Sequence, residues 1–489
     1  MARNIFLLLL PVFFVLHGYN LNYDAVPAVD AAMLALKYII IGVLIAAVAY
    51  LYFKDITKAA LFTLLLLSIQ FFYGSIQDWL LHNLPGRWLL RYRFVFSLLT
   101  ILVVGGLVWL KKRKRPLARL AMYLNVILAI FIVVDVVELI FFAQKRKNAK
   151  EKTFTQLTEG LKKCDDCEKP DIYFIIPDQY AGREALRGIF RFDNRDFIEA
   201  LRSRGFHVAK HSSSNYNLTP FSVASTLQMN YIPLKKGTQD YGSVSYSYNL
   251  VKRNQVMRYL TGMGYQFYNC SIFDFDNQPA NKYGAFLPYG VELITSQTLT
   301  ARLEKDFKSD VVAGRFGEGL QKKYAYEYMH FNDHILSLTK EIASRQHSAP
   351  KFVYTHLMMP HYPYYFDSTG NPLPLWKMSG LRQANAQDYI GYLVYTNKKL
   401  LELVDHIIDQ SARPPVIVLL GDHGFRHPGM KTDPRYDFMN LNAVLLPNRD
   451  YGGFYDSITN VNHFRVLFNN LFHQQLPMLK DSTINVWPD

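Results

Sequence analysis

The chain has 489 residues, of which 50% are hydrophobic and 19% charged, and its formal net charge is +14. The length leaves room for more than one domain. Residues 1–150 hold 17 Lys and Arg against 6 Asp and Glu, so 11 of the 14 excess positive charges lie in this part of the chain. Because the basic charge accompanies the most apolar part of the sequence, it indicates anionic lipid as a partner and argues against nucleic acid.

Five apolar stretches in this part are each near the length that crosses a bilayer. They lie at about residues 4–18, 38–53, 57–74, 94–110 and 118–143. A cleaved signal peptide is the alternative for the first stretch, but no convincing small-residue cleavage site follows it. We therefore predict an α-helical membrane bundle of about five spans over residues 1–143.

The orientation of these spans follows from the excess of Lys and Arg in short cytoplasmic loops. Lys54 and Lys58 lie in one loop, and the run Lys111–Arg115 with Arg119 lies in another. An odd number of spans then places everything after about residue 150 outside the cytoplasm. The expected location is a multi-pass protein of the cell membrane with its C-terminal domain outside.

Two carboxylates, Asp135 and Glu138, lie three residues apart in the fifth stretch and so share one helix face. Carboxylates inside a membrane are costly and are candidates for function. The interpretation that we favour is structural, with the carboxyl groups protonated or paired with Lys or Arg of a neighbouring span.

A charged, poorly apolar run follows the last span, and we predict a linker over residues 144–164. Residues 165–489, about 320 residues, are enough for one large α/β domain with a full core. Cys164 and Cys167 form a lone CxxC without the second pair of a zinc site, so a disulfide is favoured over a redox role. Cys270 is expected to be a buried free thiol.

Two continuous apolar runs are too short for helices and lead directly into acidic residues. The run Asp171–Pro177 precedes Asp178, and the run Pro414–Leu420 precedes Gly421, Asp422, His423 and Gly424. The carboxyl ends of strands in an open parallel sheet meet at one edge, and ligands bind there. Residues far apart in sequence are therefore expected to meet at one site.

The side chains at these strand ends predict a metal site. Asp178, Asp422 and His423 supply carboxylate and imidazole ligands, which suit zinc or manganese better than calcium. Three such ligands leave room for a substrate oxygen. A lone Asp after a strand is more often a turn or a helix cap, but the Gly-Asp-His-Gly run after a strand is more specific.

Thr219 precedes Pro220, and the chain can be helical from Pro220 onward. Thr as the N-cap with Pro at the first helical position is an ordinary helix start. The same place sets a hydroxyl beside a helix N-terminus, where amide groups and the dipole favour a bound phosphate. Thr219 is therefore a candidate metal ligand and nucleophile, with Ser222 as the alternative nucleophile.

A third strand-like run, Lys351–His356, is followed closely by His361. Two histidines five residues apart at a strand end can point into one cleft. We expect them to bind substrate phosphate, to protonate a leaving group or to hold a second metal, although a lone His is more often a core residue. His427 and His463 are weaker candidates for this work.

With these motifs, residues from about 170 to 475 resemble the alkaline phosphatase superfamily. The resemblance is to its sulfatase-like membrane branch, which includes lipid A phosphoethanolamine transferases and lipoteichoic acid synthases. It implies an α/β alkaline-phosphatase-like domain with a mainly parallel central sheet. It also implies that Asp178, Thr219, Asp422 and His423 bind one catalytic metal, with Thr219 attacking phosphorus.

In the same resemblance, His356 and His361 correspond to the substrate or second-metal histidines of the transferases. The chain lacks the C/S-x-P-x-R element of true sulfatases near residue 219, which disfavours sulfate-ester hydrolysis.

The sequence therefore predicts a membrane-anchored, metal-dependent transferase. It would move a phosphorylated head group from a phospholipid to an envelope glycan or lipid acceptor through a phospho-threonine intermediate. One alternative is a sulfatase-like hydrolase of phosphodiesters or sulfate esters. A second alternative is a non-catalytic sensor or scaffold anchored in the membrane.

Overall fold

A computed structural model describes most of the chain. The described residues are 4–23, 26–83, 92–158, 161–233, 241–281, 290–312, 317–378, 385–427, 430 and 432–486. The chain divides into two compact units, one of Met1–Lys152 with Pro288–Lys308 and one of Thr153–Leu287 with Ser309–Asp489. The domain boundaries from the sequence, at residues 143 and 165, stay a prediction, and residues 159 and 160 of the expected linker lie outside the described ranges.

The first unit is built on long apolar helices. These are α1 (Phe6–Leu21), α2 (Ala28–Phe53), α3 (Ile56–Asn83), α4 (Tyr92–Lys112) and α5 (Ala118–Thr158). Among the described residues, four segments are long and apolar enough to cross a membrane, one each in α2, α3, α4 and α5. Helix α1 is apolar but shorter. The predicted membrane bundle is confirmed as four such helices and a shorter fifth.

The rest of the chain alternates strands and helices. The strands are β1 (Ile172–Pro177), β2 (His207–Val208), β3 (Gln266–Cys270), β4 (Lys351–Leu357), β5 (Val416–Leu420) and β6 (Asn442–Leu445). The helices are α6 (Arg183–Phe190), α7 (Arg195–Ser203), α8 (Thr219–Gln228), α9 (Tyr241–Lys252), α10 (Gln255–Gly262), α11 (Glu292–Thr295), α12 (Leu299–Val312), α13 (Glu318–Ser344), α14 (Leu375–Met378), α15 (Ala386–Gln410) and α16 (Asn460–Phe472). A 3-10 helix covers Pro434–Asp437.

The six strands form one mixed sheet in the order β2-β6-β5-β1-β4-β3. Strand β1 is central and pairs in parallel with β4 and β5, and β3 also pairs in parallel with β4. Strand β6 runs antiparallel to β5 and to β2. The mainly parallel sheet predicted from the sequence is confirmed, and it aligns the carboxyl ends of β1, β4 and β5 at one edge.

The apolar strands are continuous because both faces of the sheet are covered. Tyr173 and Ile175 of β1 enter one buried cluster, together with side chains of α13 and α15. Phe174 and Ile176 enter the other, together with side chains of α8, α10 and α16. Alternate residues of one strand thus serve two cores, as the two-residue period of a strand requires.

One segment from the second half of the sequence folds with the membrane helices. Ile294 of α11 joins their apolar cluster. Two glycines permit this contact, because a Cβ on Gly18 would lie 2.7 Å from Ile294 Cγ2 and a Cβ on Gly74 would lie 2.6 Å from the carbonyl oxygen of Gln297. The N–H of Gly74 donates to that carbonyl at 2.8 Å. Residues 288–308, which the sequence places in the outer domain, therefore belong to the first unit.

The intramembrane carboxylate Asp135 is buried and pairs with a histidine. His17 Nδ1 lies 3.0 Å from Asp135 Oδ1. Asn20 Nδ2 donates to the backbone carbonyl of Asp135 at 2.8 Å. The partner is thus His17 of α1 and not the Lys or Arg that the sequence suggested.

The three cysteines are placed as predicted. Cys164 and Cys167 are joined by a disulfide. Cys270, at the end of β3, is a buried free thiol. Burial raises the pKa of the Cys270 thiol to about 12, so it is protonated and unreactive at neutral pH.

Candidate metal centre

Two strand ends place three metal-ligand side chains together. Asp178 directly follows β1, and Asp422 and His423 follow β5 after Gly421. All three residues are buried, and one ligand atom from each lies within 4.8 Å of the others. The parallel pairing of β1 with β5 brings these positions together although they are more than 200 residues apart in sequence.

The two carboxylates fit a bound cation. Asp178 Oδ1 and Asp422 Oδ2 are buried and have no hydrogen-bond partner among the described residues. They lie 3.9 Å and 3.4 Å, respectively, from His423 Nε2. Buried charged oxygens without partners are costly, and a cation between them removes that cost. The donor set of two carboxylates and one imidazole suits zinc or manganese.

His423 is held in the form that binds a metal. Its Nδ1 lies 2.8 Å from the carbonyl oxygen of Gly424, which can only accept a hydrogen bond. The ring proton therefore sits on Nδ1, and Nε2 presents its lone pair to the carboxylates. Burial lowers the pKa of His423, and although Asp422 and Asp178 raise it, the net shift is downward. The imidazole is thus neutral near pH 7.

Asp178 stays ionised despite its complete burial. Burial alone would raise the pKa of this carboxyl group, but His361, His356 and His423 all lower it and together they prevail. The net pKa lies well below the usual range of an aspartate. Asp178 therefore offers a charged oxygen at neutral pH.

The backbone after Asp178 also orients the second carboxylate. The N–H of Gln179 donates to Asp422 Oδ1 at 2.9 Å. Gln179 has a φ of 61°, which is uncommon for a residue with a side chain. The amide thus holds Asp422 Oδ1, while the other oxygen, Oδ2, lies 3.4 Å from His423 Nε2.

Thr219 is the first residue of α8, and Leu218 occupies the N-cap position. The interpretation of Thr219 as the N-cap is therefore wrong, and its hydroxyl is not used in capping. Thr219 Oγ1 instead lies 3.4 Å from His423 Nε2. The hydroxyl group therefore shares a neighbour, His423 Nε2, with the two partnerless carboxylate oxygens.

Ser222, the alternative nucleophile, has a different contact. It is fully buried, and its hydroxyl group donates to the backbone carbonyl of Asp422. This bond links the first turn of α8 to the chain after β5. Ser222 therefore supports the position of Asp422, and Thr219 is the better placed hydroxyl.

His356 contacts the candidate metal ligand Asp178. His356 Nε2 lies 3.3 Å from Asp178 Oδ2, and His356 Nδ1 lies 3.0 Å from the hydroxyl oxygen of Tyr354. The ring is completely buried in β4. Both ring nitrogens are engaged in these contacts, and the role of His356 toward substrate or a second metal stays a prediction.

The other histidines separate into two groups. His361 is partly buried, its Nδ1 contacts the carbonyl oxygen of Tyr362, and its charge acts on Asp178. Burial lowers the pKa of His427, and the neighbouring His361 lowers it further. His463, in contrast, is buried in α16 beside Phe454 and is not part of this group.

Sequence reasoning missed three residues of the centre: Tyr354, Gln179 and Arg426. Tyr354 could have been found, because residues two apart on a strand share a face and His356 was already a candidate. Burial lowers the pKa of Arg426, while Asp178 and Asp422 raise it, so this buried guanidinium lies in the field of both carboxylates. The sequence carries no signal for Arg426 beyond its place three residues after His423.

The sequence matches the model of one known protein family. A sequence model of the family described as Sulfatase matches residues 194–464. None of the curated protein sequences compared with the chain matches it.

Three solved structures are similar to the chain. The C-terminal periplasmic domain of EcEptC from Escherichia coli is 13% identical with a TM-score of 0.39, over 63% of this chain and 84% of that one. The lipooligosaccharide phosphoethanolamine transferase A (EptA) from Neisseria meningitidis is 10% identical with a TM-score of 0.38, over 95% of both chains. A protein in the alkaline phosphatase superfamily from Vibrio parahaemolyticus is 12% identical with a TM-score of 0.35, over 62% and 67%.

Proposed function

The chain belongs to the sulfatase family of the alkaline phosphatase superfamily, and from this premise we propose that it is a head-group transferase. It moves a phosphorylated head group from a membrane phospholipid to an envelope glycan or lipid acceptor. The observation that carries this proposal is the hydroxyl of Thr219, 3.4 Å from His423 Nε2. The same nitrogen lies near Asp178 Oδ1 and Asp422 Oδ2, two buried oxygens without a hydrogen-bond partner among the described residues. A hydroxyl group in that place is a nucleophile for phosphorus.

The residues that would hold a metal are Asp178, Asp422, His423 and, through its hydroxyl group, Thr219, and zinc or manganese would suit these ligands. A divalent ion bound there lowers the pKa of the hydroxyl group and offsets the charge of a phosphate. His356 holds the Asp178 carboxylate in place through Oδ2, which leaves Oδ1 for the ion.

In the first step of the transfer, Thr219 Oγ1 gives up its proton to solvent and forms a bond to phosphorus, and the bond from phosphorus to the diacylglycerol oxygen breaks. His361, close enough to act on Asp178, gives a proton to the leaving oxygen. The head group is then held in a phosphodiester on Thr219. In the second step an acceptor hydroxyl attacks the same phosphorus and its proton passes to His361, while the bond from phosphorus to Thr219 Oγ1 breaks and Oγ1 regains a proton from solvent.

The membrane helices serve this chemistry by keeping the site near a lipid that never leaves the bilayer. The basic loops around Lys54 and Lys111 face the cytoplasm, because short cytoplasmic loops are rich in Lys and Arg. The catalytic unit then lies outside, where envelope acceptors are found. No step of this transfer involves nucleic acid.

The test uses full-length protein in lipid nanodiscs with added zinc or manganese and an acceptor extract. Diacylglycerol release and head-group transfer are measured for the native chain, Thr219→Ser and Thr219→Val. We expect transfer by the native chain, reduced transfer by Thr219→Ser and none by Thr219→Val, which keeps the shape but lacks the hydroxyl.

Two other outcomes would overturn the proposal. Head-group release to water at the same rate with and without acceptor would identify a hydrolase on the same centre. A metal-loaded protein that releases no diacylglycerol would identify a non-catalytic sensor or scaffold.

A further inference from the structure

A groove opens between two membrane helices of the first unit. It lies between α3 and α4, is closed at one side by Leu299 at the start of α12, and has a volume of about 350 Å³. Helices α3 and α4 approach closely at Gly106, where a Cβ would lie 2.7 Å from Leu65 Cδ2. The groove lies on the side of Gly106 that is toward the start of α4, since its α4 wall ends at Val104.

The groove spans the half of α4 that is farther from its basic end. Its α4 wall runs from Phe96 to Val104, whereas Lys111 and Lys112 lie in the last turn of that helix. Eight residues of helix cover about 12 Å. That is roughly the depth of one leaflet, since the hydrocarbon core of a bilayer is about 30 Å thick. With Lys111 at the cytoplasmic side, this is the outer leaflet.

The lining of the groove is mostly apolar, which suits a hydrocarbon chain. The walls are aliphatic and aromatic except for Gln70 and Thr100. The surrounding face of α4 also exposes large apolar side chains, such as Leu98 and Ile101. A bilayer surrounds such a helix, so the groove fills with hydrocarbon and not with water.

The segment that carries Leu299 continues into polar contacts on the outer side of the groove. Gln70 Nε2 donates to Thr300 Oγ1 at 2.6 Å. Two turns farther out on α3, Asp78 Oδ2 accepts a hydrogen bond of 2.6 Å from Arg302 Nη2. The groove thus changes from apolar to polar in the direction in which a lipid changes from acyl chain to head group.

We propose that this groove binds one acyl chain of the donor phospholipid from the outer leaflet. The inference rests on the proposed function, because the transferase needs a phospholipid donor. The segment from Leu299 to Arg302 fixes the lipid at both levels, with the leucine on the chain and the polar contacts near the ester region.

The test fills the groove and compares the result with a matched change outside it. Leu99 lines the groove, while Leu98 is 59% exposed on the same turn and does not. Leu99→Trp and Leu98→Trp are therefore compared. Phospholipid retained by the delipidated full-length protein is titrated by native mass spectrometry with one phospholipid of defined chain length. We expect Leu99→Trp to weaken retention at least tenfold and Leu98→Trp to leave it unchanged.

Activity assays separate this proposal from the function itself. With the same phospholipid as donor, we expect the KM of Leu99→Trp to rise at least tenfold, while its rate on bis(4-nitrophenyl) phosphate, which has no acyl chain, stays that of the native chain. Equal retention and equal KM in both tryptophan variants would overturn the groove proposal while the transferase stands.

The retention assay does not depend on turnover. If the native chain releases no diacylglycerol but Leu99→Trp alone loses lipid, the transferase fails and the groove remains an acyl-chain site for bilayer lipid, which overturns its assignment to the donor. Should Leu99→Trp not fold, Thr100→Phe fills the groove from the next position, with Ile101→Phe as its control.

Discussion

His356 Nε2 lies 3.3 Å from Asp178 Oδ2, so a fully buried imidazole in β4 holds the carboxylate that follows β1. A carboxylate can only accept a hydrogen bond, which places the ring proton on Nε2. The hydroxyl of Tyr354 then donates to His356 Nδ1, at 3.0 Å. Burial raises the pKa of Tyr354 far above 10, with Asp422 and Asp178 adding to it, so the hydroxyl keeps its proton.

This chain of contacts predicts the effect of removing the imidazole. His356→Ala should weaken metal retention by about 10–100-fold, because outer contacts of a ligand orient it and tune its charge. Tyr354→Phe should weaken it less, since the ring of His356 remains. Bound metal is measured after dialysis against a weak chelator. His406→Ala, at a partly exposed histidine of α15, is the control, and native-like retention in His356→Ala would refute the positioning role.

Metal removal should destabilise the second unit. Without the ion, Asp178 Oδ1 and Asp422 Oδ2 have no hydrogen-bond partner among the described residues, and metal binding raises the free energy of unfolding by about 2.7 kcal/mol when the ion is at 100 times its Kd. Chelation should therefore lower the Tm of the native chain, and zinc or manganese should restore it. Asp422→Ala should be insensitive to both treatments, while Asp193→Ala, at an exposed ion pair, should respond like the native chain. A full zinc response in Asp422→Ala would contradict the ligand assignment.

Gly424 follows the ligand His423 at a place where the backbone leaves no room for a side chain. A Cβ there would lie 2.0 Å from the carbonyl oxygen of Tyr436 and 2.6 Å from that of Met439. Gly424→Ala should cost about 1–3 kcal/mol and weaken metal binding, because the chain must move. Thermal unfolding and metal content measure both effects. Gly262→Ala, with no atom within 4 Å of the added Cβ, is the control and should not lower stability.

The buried His463 should make the free energy of unfolding depend on pH. Burial lowers the pKa of His463 to about 3, with a smaller contribution from His207, and neither ring nitrogen has a hydrogen-bond partner among the described residues. The unfolded chain, with an ordinary histidine pKa of about 6.5, binds the proton first as the pH falls. The free energy of unfolding is therefore highest above pH 6.5 and decreases as the pH falls from 6.5 toward 3. The decrease is at most about 1.4 kcal/mol per pH unit.

Replacing this imidazole by an apolar ring should flatten that slope. His463→Phe should match or exceed the Tm of the native chain at pH 7.5 and lose less of it by pH 5, because no buried N–H is left without a partner. The check is a series of thermal unfolding curves between pH 5 and 7.5. His347→Phe, on an exposed loop, should retain the native slope, and an unchanged slope in His463→Phe would disprove the assignment.

The sequence was informative where local pattern decides the structure. Apolar runs that end in Asp178 and Asp422 predict strands of a parallel sheet, and the structure has them as β1 and β5. The long apolar helices could be predicted for the same reason, because their apolar residues are consecutive in the sequence. The contact of His356 with Asp178 could not be predicted from the sequence. It depends on the register between β1 and β4, which places Ile176 opposite His356.

Two further features depend on surfaces that only the fold creates. The segment around Ile294 packs against the membrane helices because Gly18 and Gly74 have no side chain that would block the contact. Nothing in the sequence of the segment marks it as part of that unit. Similarly, the partner of Asp135 is His17, which no sequence spacing relates to it.

In the proposed transfer Thr219 carries the head group between donor and acceptor, and peptide mass spectrometry detects that intermediate. The metal-loaded, full-length protein is incubated with a phospholipid extract, quenched in acid and digested. We expect a Thr219 peptide whose mass rises by that of a phosphorylated head group and returns to its original value when acceptor is added. An unmodified Thr219 peptide in protein that is releasing diacylglycerol would show that Thr219 is not the carrier.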